Sequence, residues 1–307
     1  MSPELKPRIV IEDQGPRDGF QSESVIVPTA RKVEVVAALV EAGVKRIQVT
    51  SFVHPSYVPQ MADAEQLCAQ LPRADQVIYS GLVLNGRGID RAIAAGLRHV
   101  AISHSASDTH SRKNTRRSLQ EARQGHAENV MRAQQAGLTV RGGVQCAFGC
   151  RYEGPITAAT VLEMVEAQLA LGVDEIALAD STGMGDPRAI RNLLPQVLKL
   201  ARGRPVFLHL HDTEGRGMAN ALAAIDLGVR HFDTAFGGMG GCPYIRGASG
   251  NIATEDLVAM AQQMGFETGI DARKVAEVST LMEEFYDRPF PGKMHRVLST
   301  PGLATLA

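Results

Sequence analysis

The chain contains no tryptophan, few other aromatic residues and no excess of charge of either sign. Of its 307 residues, 5% are aromatic and 21% are charged, and the formal net charge is −1. It also lacks any run of Lys and Arg interleaved with aromatic side chains, the pattern that is typical of nucleic-acid contacts. We therefore expect no nucleic-acid partner.

Long apolar runs and abundant cysteines are missing as well. No apolar stretch approaches the roughly 18 residues that a membrane span requires, so we expect no membrane contact. The polar start, Met1 to Lys6, fits neither a signal peptide nor a transit peptide, and the expected location is cytoplasmic. The four cysteines are scattered, which argues against a disulfide framework, and Cys146-x3-Cys150 has no second Cys pair to complete a zinc site.

The chain instead alternates short β-like runs with longer helical patterns along nearly its whole length. Apolar runs predict eight strands, at 8–13, 46–52, 77–84, 99–105, 139–147, 175–181, 205–211 and 231–236. Helical patterns lie at 29–42, 62–70, 87–95, 118–136, 158–171, 187–201, 217–227 and 254–264. Continuous apolar strands indicate a sheet whose outer face is covered by helices.

A recurring phrase marks the junctions from helix to strand. It reads Ala42-Gly43-Val44 at its first occurrence and recurs around Gly96, Gly137, Gly172 and Gly228. Glycine just past a helix end supplies a left-handed cap, and the apolar residue after it packs back on the helix.

Eight such βα units fit a closed (β/α)8 TIM barrel of the α/β class better than an open doubly wound sheet. No G-x-G-x-x-G motif follows the first strand, which disfavours dinucleotide binding. We predict a single catalytic domain over 1–307, with the barrel over about 8–270 and a short C-terminal helical extension over 271–307.

The polar residues that could carry chemistry collect where strands end, the face on which TIM barrels place their active sites. His209 and His211 close the seventh strand and share one face of it, because residues two apart point the same way. A bare H-x-H is most often a pair of hydrogen-bonded histidines. Asp18 after the first strand and Asn251 beyond the eighth favour instead a divalent cation with mixed oxygen and nitrogen ligands. Such a set suits Mn²⁺ or Mg²⁺, and paired imidazoles would also accept Zn²⁺ or Co²⁺.

Arg17 stands beside Asp18 and offers a permanently charged donor for a carbonyl or enolate oxygen. The alternative is a salt bridge that closes the mouth of the barrel. An Arg-Asp pair by itself does not decide between these two roles.

Together these motifs resemble the 3-hydroxy-3-methylglutaryl-CoA lyase family, which belongs to the TIM-barrel metal-dependent acyl lyases, the DRE-TIM metallolyase group. The segments that carry the resemblance are GPRDGFQSE at 15–23, TSFV at 50–53, VPQM at 58–61, HLHDT at 209–213 and GGCPY through ATED within 240–256. They run in order and with matching spacing from about Ile9 to Asp271.

The resemblance implies a role for particular residues of this chain. It makes Asp18, His209, His211 and Asn251 the metal ligands, and Arg17 the residue that polarises the thioester carbonyl. Cys242 falls on the active-site cysteine of the family, in a Gly-rich loop, and the alternative for Cys242 is a small buried residue. Lys113 and Asn114 fall in the region that meets coenzyme A, and Gln21, Gln48, Ser51, Gly143 and Asp180 in the substrate pocket.

The implied reaction is a retro-Claisen cleavage of 3-hydroxy-3-methylglutaryl-CoA to acetyl-CoA and acetoacetate, assisted by Mg²⁺ or Mn²⁺. The tertiary hydroxyl loses its proton to Asp18 or His209, the C2–C3 bond breaks, and Arg17 stabilises the charge on the thioester oxygen. Cys242 or a nearby water then protonates the enolate carbon. By this resemblance the partner is an acyl-CoA, and we expect a homo-oligomer, a dimer.

Two positions depart from the family pattern and leave the acyl group open. The family phrase E-T-T-S-F reads Gln48-Val49-Thr50-Ser51-Phe52 here, and the family Tyr of the fifth strand is Gly143. A related 3-hydroxyacyl-CoA is therefore an alternative substrate, such as citramalyl-CoA or a glutaryl-CoA with a bulkier C3 substituent.

Two other functional classes share the barrel. Synthases with an H-x-H metal pair usually carry a long C-terminal regulatory region, which is not found after Asp271. A non-catalytic binding barrel is disfavoured by the intact set of Arg17, Asp18, His209, His211, Cys242 and Asn251.

Overall fold

The structure is a computed structural model that describes residues 6–241 and 249–300. Cys242 lies outside the described residues. Eight parallel strands close into a barrel in which each strand pairs with its neighbours in sequence and β1 pairs with β8. The strands are β1 (Val10–Asp13), β2 (Arg46–Ser51), β3 (Ile78–Leu82), β4 (His99–Ser105), β5 (Thr139–Gln145), β6 (Glu175–Asp180), β7 (Val206–Leu210) and β8 (His231–Thr234). The predicted TIM barrel is confirmed.

Helices follow the strands and surround the barrel, and the last three come after β8. They are α1 (Thr29–Glu41), α2 (Ala64–Ala69), α3 (Gly86–Ala94), α4 (Asp108–Thr115), α5 (Leu119–Gln135), α6 (Ala158–Ala170), α7 (Pro187–Ala201), α8 (Gly217–Asp226), α9 (Thr254–Gln263), α10 (Ala272–Tyr286) and α11 (Met294–Leu298). The predicted patterns match, but α4 was not predicted, since its sequence is almost wholly polar. Ser107 is its N-cap, and the Ser107 side chain accepts a hydrogen bond from the His110 amide.

The alternation of side chains along β7 decides which residues can take part in a site. Val206, Leu208 and Leu210 belong to the buried core between barrel and helices. Phe207 and His209 face the barrel interior, and the Arg141 guanidinium lies 3.6 Å from the centroid of the Phe207 ring. The strand therefore directs its histidine toward the axis of the barrel, as the spacing predicted.

The barrel interior below the site is filled by charged side chains rather than by an apolar plug. Arg141 is 2% exposed. It donates hydrogen bonds to Glu12 at 2.6 Å, to Glu175 at 2.9 Å and to Asp233 at 2.9 Å. A charge buried without a partner is costly, so the pairing of Arg141 with three carboxylates allows all four charged groups to be buried. This network supports the floor of the cavity that opens above it.

The C-terminal extension packs back on the barrel end that carries the site. The Asp256 carboxylate accepts hydrogen bonds from the Lys293 and Met294 amides. Phe290 is 1% exposed and packs against Gly237. A Cβ on residue 237 would lie 2.4 Å from the Phe290 ring, so only glycine leaves room for this ring. Gly237 has a φ of +64°, which suits glycine. The predicted helical extension is thus anchored to the segment that follows β8.

Within the described ranges, no helix combines enough length with enough apolar character to span a membrane.

Candidate active site

Three side chains from two distant parts of the chain meet at the C-terminal end of the barrel. Asp18 lies on a single π-helical turn, Gly15–Gly19, directly after β1. His209 lies in β7, and His211 follows that strand. The Nε2 atoms of the two histidines are 3.0 Å apart, and Oδ2 of Asp18 lies 4.0 Å and 3.9 Å from them. This is the one cluster of three or more His, Cys, Asp or Glu in the described residues with donor atoms close enough for a metal ion.

Asn251 completes the cluster from beyond β8. It forms an isolated bridge with His211, which sets its backbone beside the histidine. Its Nδ2 donates to Oδ2 of Asp18 at 2.8 Å and to the Met239 carbonyl at 2.9 Å, whereas its buried Oδ1 accepts no hydrogen bond. An amide binds cations through its oxygen, so the donor set fits a divalent ion.

The charges around Asp18 favour its carboxylate form. Burial by itself would raise the pKa of Asp18, but Arg17, His209, His211 and the Asn251 hydrogen bond outweigh burial and hold the pKa well below its usual range. Burial and the neighbouring His209 lower the pKa of His211 to about 4. The cluster thus combines an anionic Asp18 carboxylate with a His211 ring that favours its neutral form, and metal binding requires both of these protonation states.

Arg17 is held in place by hydrogen bonds from three of its five N–H groups. Nε donates to Oε1 of Gln48 at 2.5 Å, Nη2 donates to Oε1 of Gln14 at 2.8 Å, and Nη1 donates to Asp18. A guanidinium has five N–H donors, so two remain for a ligand in the cavity. Gln48, which stands where the family phrase has Glu, therefore still accepts the hydrogen bond that orients Arg17 but carries no negative charge.

A side chain outside the predicted set orients His209. Oδ2 of Asp233 lies 3.4 Å from Nδ1 of His209, and Oδ1 of Asp233 accepts a hydrogen bond from Arg141. A carboxylate on the far nitrogen of a histidine fixes its tautomer and leaves Nε2 free to bind. The sequence signal for Asp233 is its position on β8, where side chains alternate between the interior and the helices. That signal becomes usable only after a closed barrel is assumed, because only then does Asp233 face His209.

A cavity of about 730 Å³ opens beside the cluster and collects most of the predicted pocket residues. Its lining includes Gln21, Gln48, Gly143, Lys113 and Asn114 together with Arg17, Asp18, His209 and His211. Nζ of Lys113 lies 4.4 Å from the centroid of the Tyr152 ring, a cation–π contact. The residues assigned to the thioester and those assigned to coenzyme A therefore share one space.

Ser51 and Asp180 do not line this cavity. Along β6, Ala177 and Ala179 face the interior, so the alternation turns Asp180 toward the helices. Asp180 accepts a hydrogen bond from the Gly185 amide at 3.0 Å, and burial raises its pKa to about 6. Ser51 is fully buried. Asp180 therefore supports the loop that follows β6, and neither residue contacts the open cavity.

Glu255, which by resemblance matches a polar residue near the metal, lies behind the site. Its carboxylate accepts hydrogen bonds from the Gly237 amide and from the Ser279 hydroxyl. It therefore braces the segment after β8 against α10.

The sequence expectations missed several polar residues of the cavity wall, among them Ser103, His104, His126 and Gln145. The imidazoles of His104 and His126 pack with centroids 4.3 Å apart between β4 and α5. Burial lowers the pKa of His104 to about 3 and that of His126 to about 4. No motif marks these positions, because the two rings meet only when α5 packs on β4.

Comparisons with known proteins agree with this geometry. The HMGL-like family model matches residues 8–282. The mitochondrial hydroxymethylglutaryl-CoA lyase of Bos taurus is 40% identical over 281 residues, which cover 92% of this chain and 86% of that protein. The cytoplasmic 3-hydroxy-3-methylglutaryl-CoA lyase of Rattus norvegicus is 41% identical over 273 residues, covering 89% and 80%.

A solved structure shows the same likeness in three dimensions. The HMG-CoA lyase of Acinetobacter baumannii, in complex with coenzyme A and 3-methylmalate, superposes with a TM-score of 0.91 at 36% identity and covers 98% of both chains. Family model, relatives and structure agree over nearly the whole length. The chain belongs to the HMGL-like family and is a carbon–carbon lyase.

Proposed function

We propose that this chain cleaves 3-hydroxy-3-methylglutaryl-CoA to acetyl-CoA and acetoacetate in a retro-Claisen reaction that requires a divalent cation. The observation that carries the proposal is the convergence of Asp18, His209 and His211, with donor atoms within 4.8 Å of one another, beside Arg17 in one cavity. The relatives named as lyases of this thioester support the substrate, and the neighbour with coenzyme A bound supports a CoA thioester.

The cation would be held by Oδ2 of Asp18, Nε2 of His209 and His211, and Oδ1 of Asn251. These oxygen and nitrogen donors include no thiolate, which favours Mg²⁺ or Mn²⁺. A bound divalent ion supplies Lewis acidity that makes the tertiary hydroxyl of the substrate easier to deprotonate.

The side chains of the chain perform the remaining tasks. Asp18 takes the hydroxyl proton, because both ring nitrogens of His209 are already assigned, Nε2 to the cation and Nδ1 to Asp233. The C2–C3 bond breaks, and the two free N–H groups of Arg17 stabilise the enolate oxygen of the departing thioester. Asp233 holds the His209 ring in place. Cys242 or a water returns a proton to the enolate carbon. Lys113 and Asn114 bind the coenzyme A portion at the cavity mouth.

The acyl group is the open part of the proposal. Gln48 supplies no negative charge beside Arg17, and Gly143 presents no side chain to the cavity. These two positions support the alternative substrate, a citramalyl-type thioester or a glutaryl-CoA with a bulkier C3 substituent. A cytoplasmic location is also proposed, and the relatives include both mitochondrial and cytoplasmic lyases. The homodimer is a separate proposal.

The test measures metal binding and thioester cleavage on the same variants. Asp18→Ala and His209→Ala should each lose cleavage of 3-hydroxy-3-methylglutaryl-CoA and weaken Mn²⁺ binding in a titration followed by electron paramagnetic resonance, because each removes a ligand. Asp226→Ala changes an exposed aspartate at the end of α8 and serves as the matched control. Wild-type turnover by either ligand variant would refute the assignment.

A further inference from the structure

The barrel wall beside the candidate metal site is built from small side chains. Ser103 of β4 lies opposite Gly143 of β5, and Gly143 lies opposite Ala177 of β6. Two residues further along β6, on the same face of the strand, Ala179 lies opposite the metal-ligand candidate His209. All four small residues line the same cavity as His209. The wall therefore leaves open space next to the site along three consecutive strands.

The absence of a side chain at Gly143 makes room for Ser103 of the neighbouring strand. A Cβ on Gly143 would lie 2.7 Å from the Cβ of Ser103 and 3.9 Å from the Cβ of Ala177. The shorter distance is below any real Cβ contact, so Gly143 is required for Ser103 to lie where it does. At this point the two strands together present only one small side chain, that of Ser103, to the cavity.

The wall also carries uncharged hydrogen-bonding groups. Nε2 of Gln145 donates to the Ser103 hydroxyl at 3.1 Å, and both side chains are partly exposed to the cavity. A carboxamide has two donors and an acceptor, so the single hydrogen bond to Ser103 leaves Gln145 with capacity for a ligand. Ser103, Gln145 and Ala177 bear no charge, which disfavours a carboxylate here and favours a hydroxyl or carbonyl.

The position of the wall relative to the reacting groups selects the part of the substrate that meets it. The candidate metal ligands lie on the β1, β7 and β8 side, and Arg17 with its partner Gln48 lies at β1 and β2. The hydroxyl and thioester carbonyl therefore occupy that side of the cavity. A substituent on C3 that projects away from them meets β4, β5 and β6.

We infer that Ser103, Gly143, Gln145 and Ala177 form a subsite, here termed the C3 subsite, for a C3 substituent that is larger than methyl and ends in a hydroxyl or carbonyl. The inference rests on the proposed cleavage reaction and deepens it. The preferred substrate class is then a 3-hydroxyglutaryl-CoA with such a group on C3. Cleavage breaks C2–C3, turns the C3 hydroxyl into a ketone, and moves its proton by way of the base and the solvent to C2 of the acetyl-CoA enolate.

The experiment compares three thioesters with the metal-loaded enzyme: 3-hydroxyglutaryl-CoA carrying methyl, ethyl or 2-hydroxyethyl at C3. We expect kcat/KM to rise from methyl to 2-hydroxyethyl by about 10-fold or more, since one or two methylenes and a hydrogen bond are worth that much in a fitted pocket. Ala177→Val fills the space and should lower the ratio of 2-hydroxyethyl to methyl kcat/KM by about 10-fold. Ala177→Ser, which fills far less of the space, is its matched control.

Gln145→Leu separates polarity from volume. It keeps a side chain of similar size and removes the amide, so it should lower kcat/KM for the 2-hydroxyethyl thioester relative to the ethyl thioester by about 10-fold. Thermal unfolding and the Kd of free coenzyme A report whether each variant stays folded. If Ala177→Val is unstable, Ser103→Val repeats the test from the neighbouring strand.

Two results overturn the inference, and they are distinguishable. A wild-type enzyme that prefers the methyl thioester, with variants that leave the substrate ratios unchanged, overturns the C3 subsite while the proposed cleavage stands. A metal-loaded enzyme that cleaves none of the three thioesters overturns the proposed function and the subsite with it.

Discussion

Arg17 shows how two neutral carboxamides and one carboxylate can hold a charged side chain rigid in a barrel mouth. Gln14 and Gln48 accept two of its hydrogen bonds, and Asp18 accepts a third. The guanidinium is therefore held before a ligand arrives, and in the proposed reaction it would lose little freedom as charge develops on the thioester oxygen. Electrostatic stabilisation depends on this kind of prior orientation.

Arg17→Gln tests this role. It should lower kcat/KM by about 100-fold, the cost of roughly 3 kcal/mol that follows the loss of one donor to a developing oxyanion. Mn²⁺ affinity should change far less, because Arg17 is not a ligand. Steady-state kinetics and a Mn²⁺ titration on one preparation separate the two effects. An equal loss of metal binding would mean that Arg17 acts by positioning Asp18.

Asp233 links the candidate metal site to the charged network inside the barrel. It lies between Nδ1 of His209 and the guanidinium of Arg141. Asp233→Asn should weaken Mn²⁺ binding by about 10-fold to 100-fold, because the far nitrogen of His209 loses its charged partner. A Mn²⁺ titration measures this, with thermal unfolding to monitor the Arg141 network. Unchanged Mn²⁺ affinity in a folded variant would exclude the positioning role.

The packing of α5 on β4 brings two buried histidines together in place of an apolar contact. His104 is 8% exposed and His126 is 4% exposed, and three of their ring nitrogens are buried without a hydrogen-bond partner. Burial lowers both pKa values, so the folded protein favours the neutral rings. This interface is a local weak point of the fold in acid.

The sign of the pH effect follows from those pKa values. Both histidines have an ordinary pKa of 6.5, so below that pH the unfolded chain binds protons, while the folded protein excludes them until about pH 4 at His126 and about pH 3 at His104. The free energy of unfolding is therefore highest above pH 6.5, and it decreases as the pH falls from 6.5 toward the lowered pKa values of the two folded histidines. His126→Phe should remove about 2 kcal/mol of the loss between pH 7 and pH 5. Urea unfolding at both pH values measures it, and an unchanged pH dependence would contradict the assignment.

The C-terminal extension connects the overall architecture to the site. Phe290 packs against Gly237, and the Gly292 amide donates to the Gly237 carbonyl at 2.8 Å. The same segment after β8 leads to Met239, whose carbonyl accepts from Asn251. A helix pair outside the barrel thus braces the backbone that presents a candidate ligand.

Phe290→Ala should destabilise the fold by about 3–5 kcal/mol, the usual cost of removing a buried phenyl group. It should also weaken Mn²⁺ binding, because the backbone from Gly237 to Met239, which accepts the Asn251 hydrogen bond, loses its support. Thermal unfolding and a Mn²⁺ titration are the measurements. Val297→Ala in α11, where the side chain is 44% exposed, is the control and should change neither. Intact metal affinity in Phe290→Ala would show that the extension stabilises the barrel only.

The barrel and its central cluster could be predicted because they depend on local patterns. Alternation along β7 directs His209 inward whatever surrounds it, and a closed parallel barrel brings every strand end to one face. The polar helix α4 was missed because its start depends on a Ser107 cap rather than on apolar periodicity. Asp180 was placed in the pocket because its strand end was recognised but its outward register was not.

The sequence alone determined the eight βα units, their order and the identity of the residues at the strand ends, since backbone periodicity and helix caps are set by near neighbours. Only the tertiary structure decided which other side chains support the predicted cluster and line its cavity. The 3.4 Å contact of Asp233 with His209, the His104–His126 pair and the small-residue wall from Ser103 to Ala177 all join segments far apart in the chain. Their positions depend on strand register and helix packing, which emerge when the barrel closes.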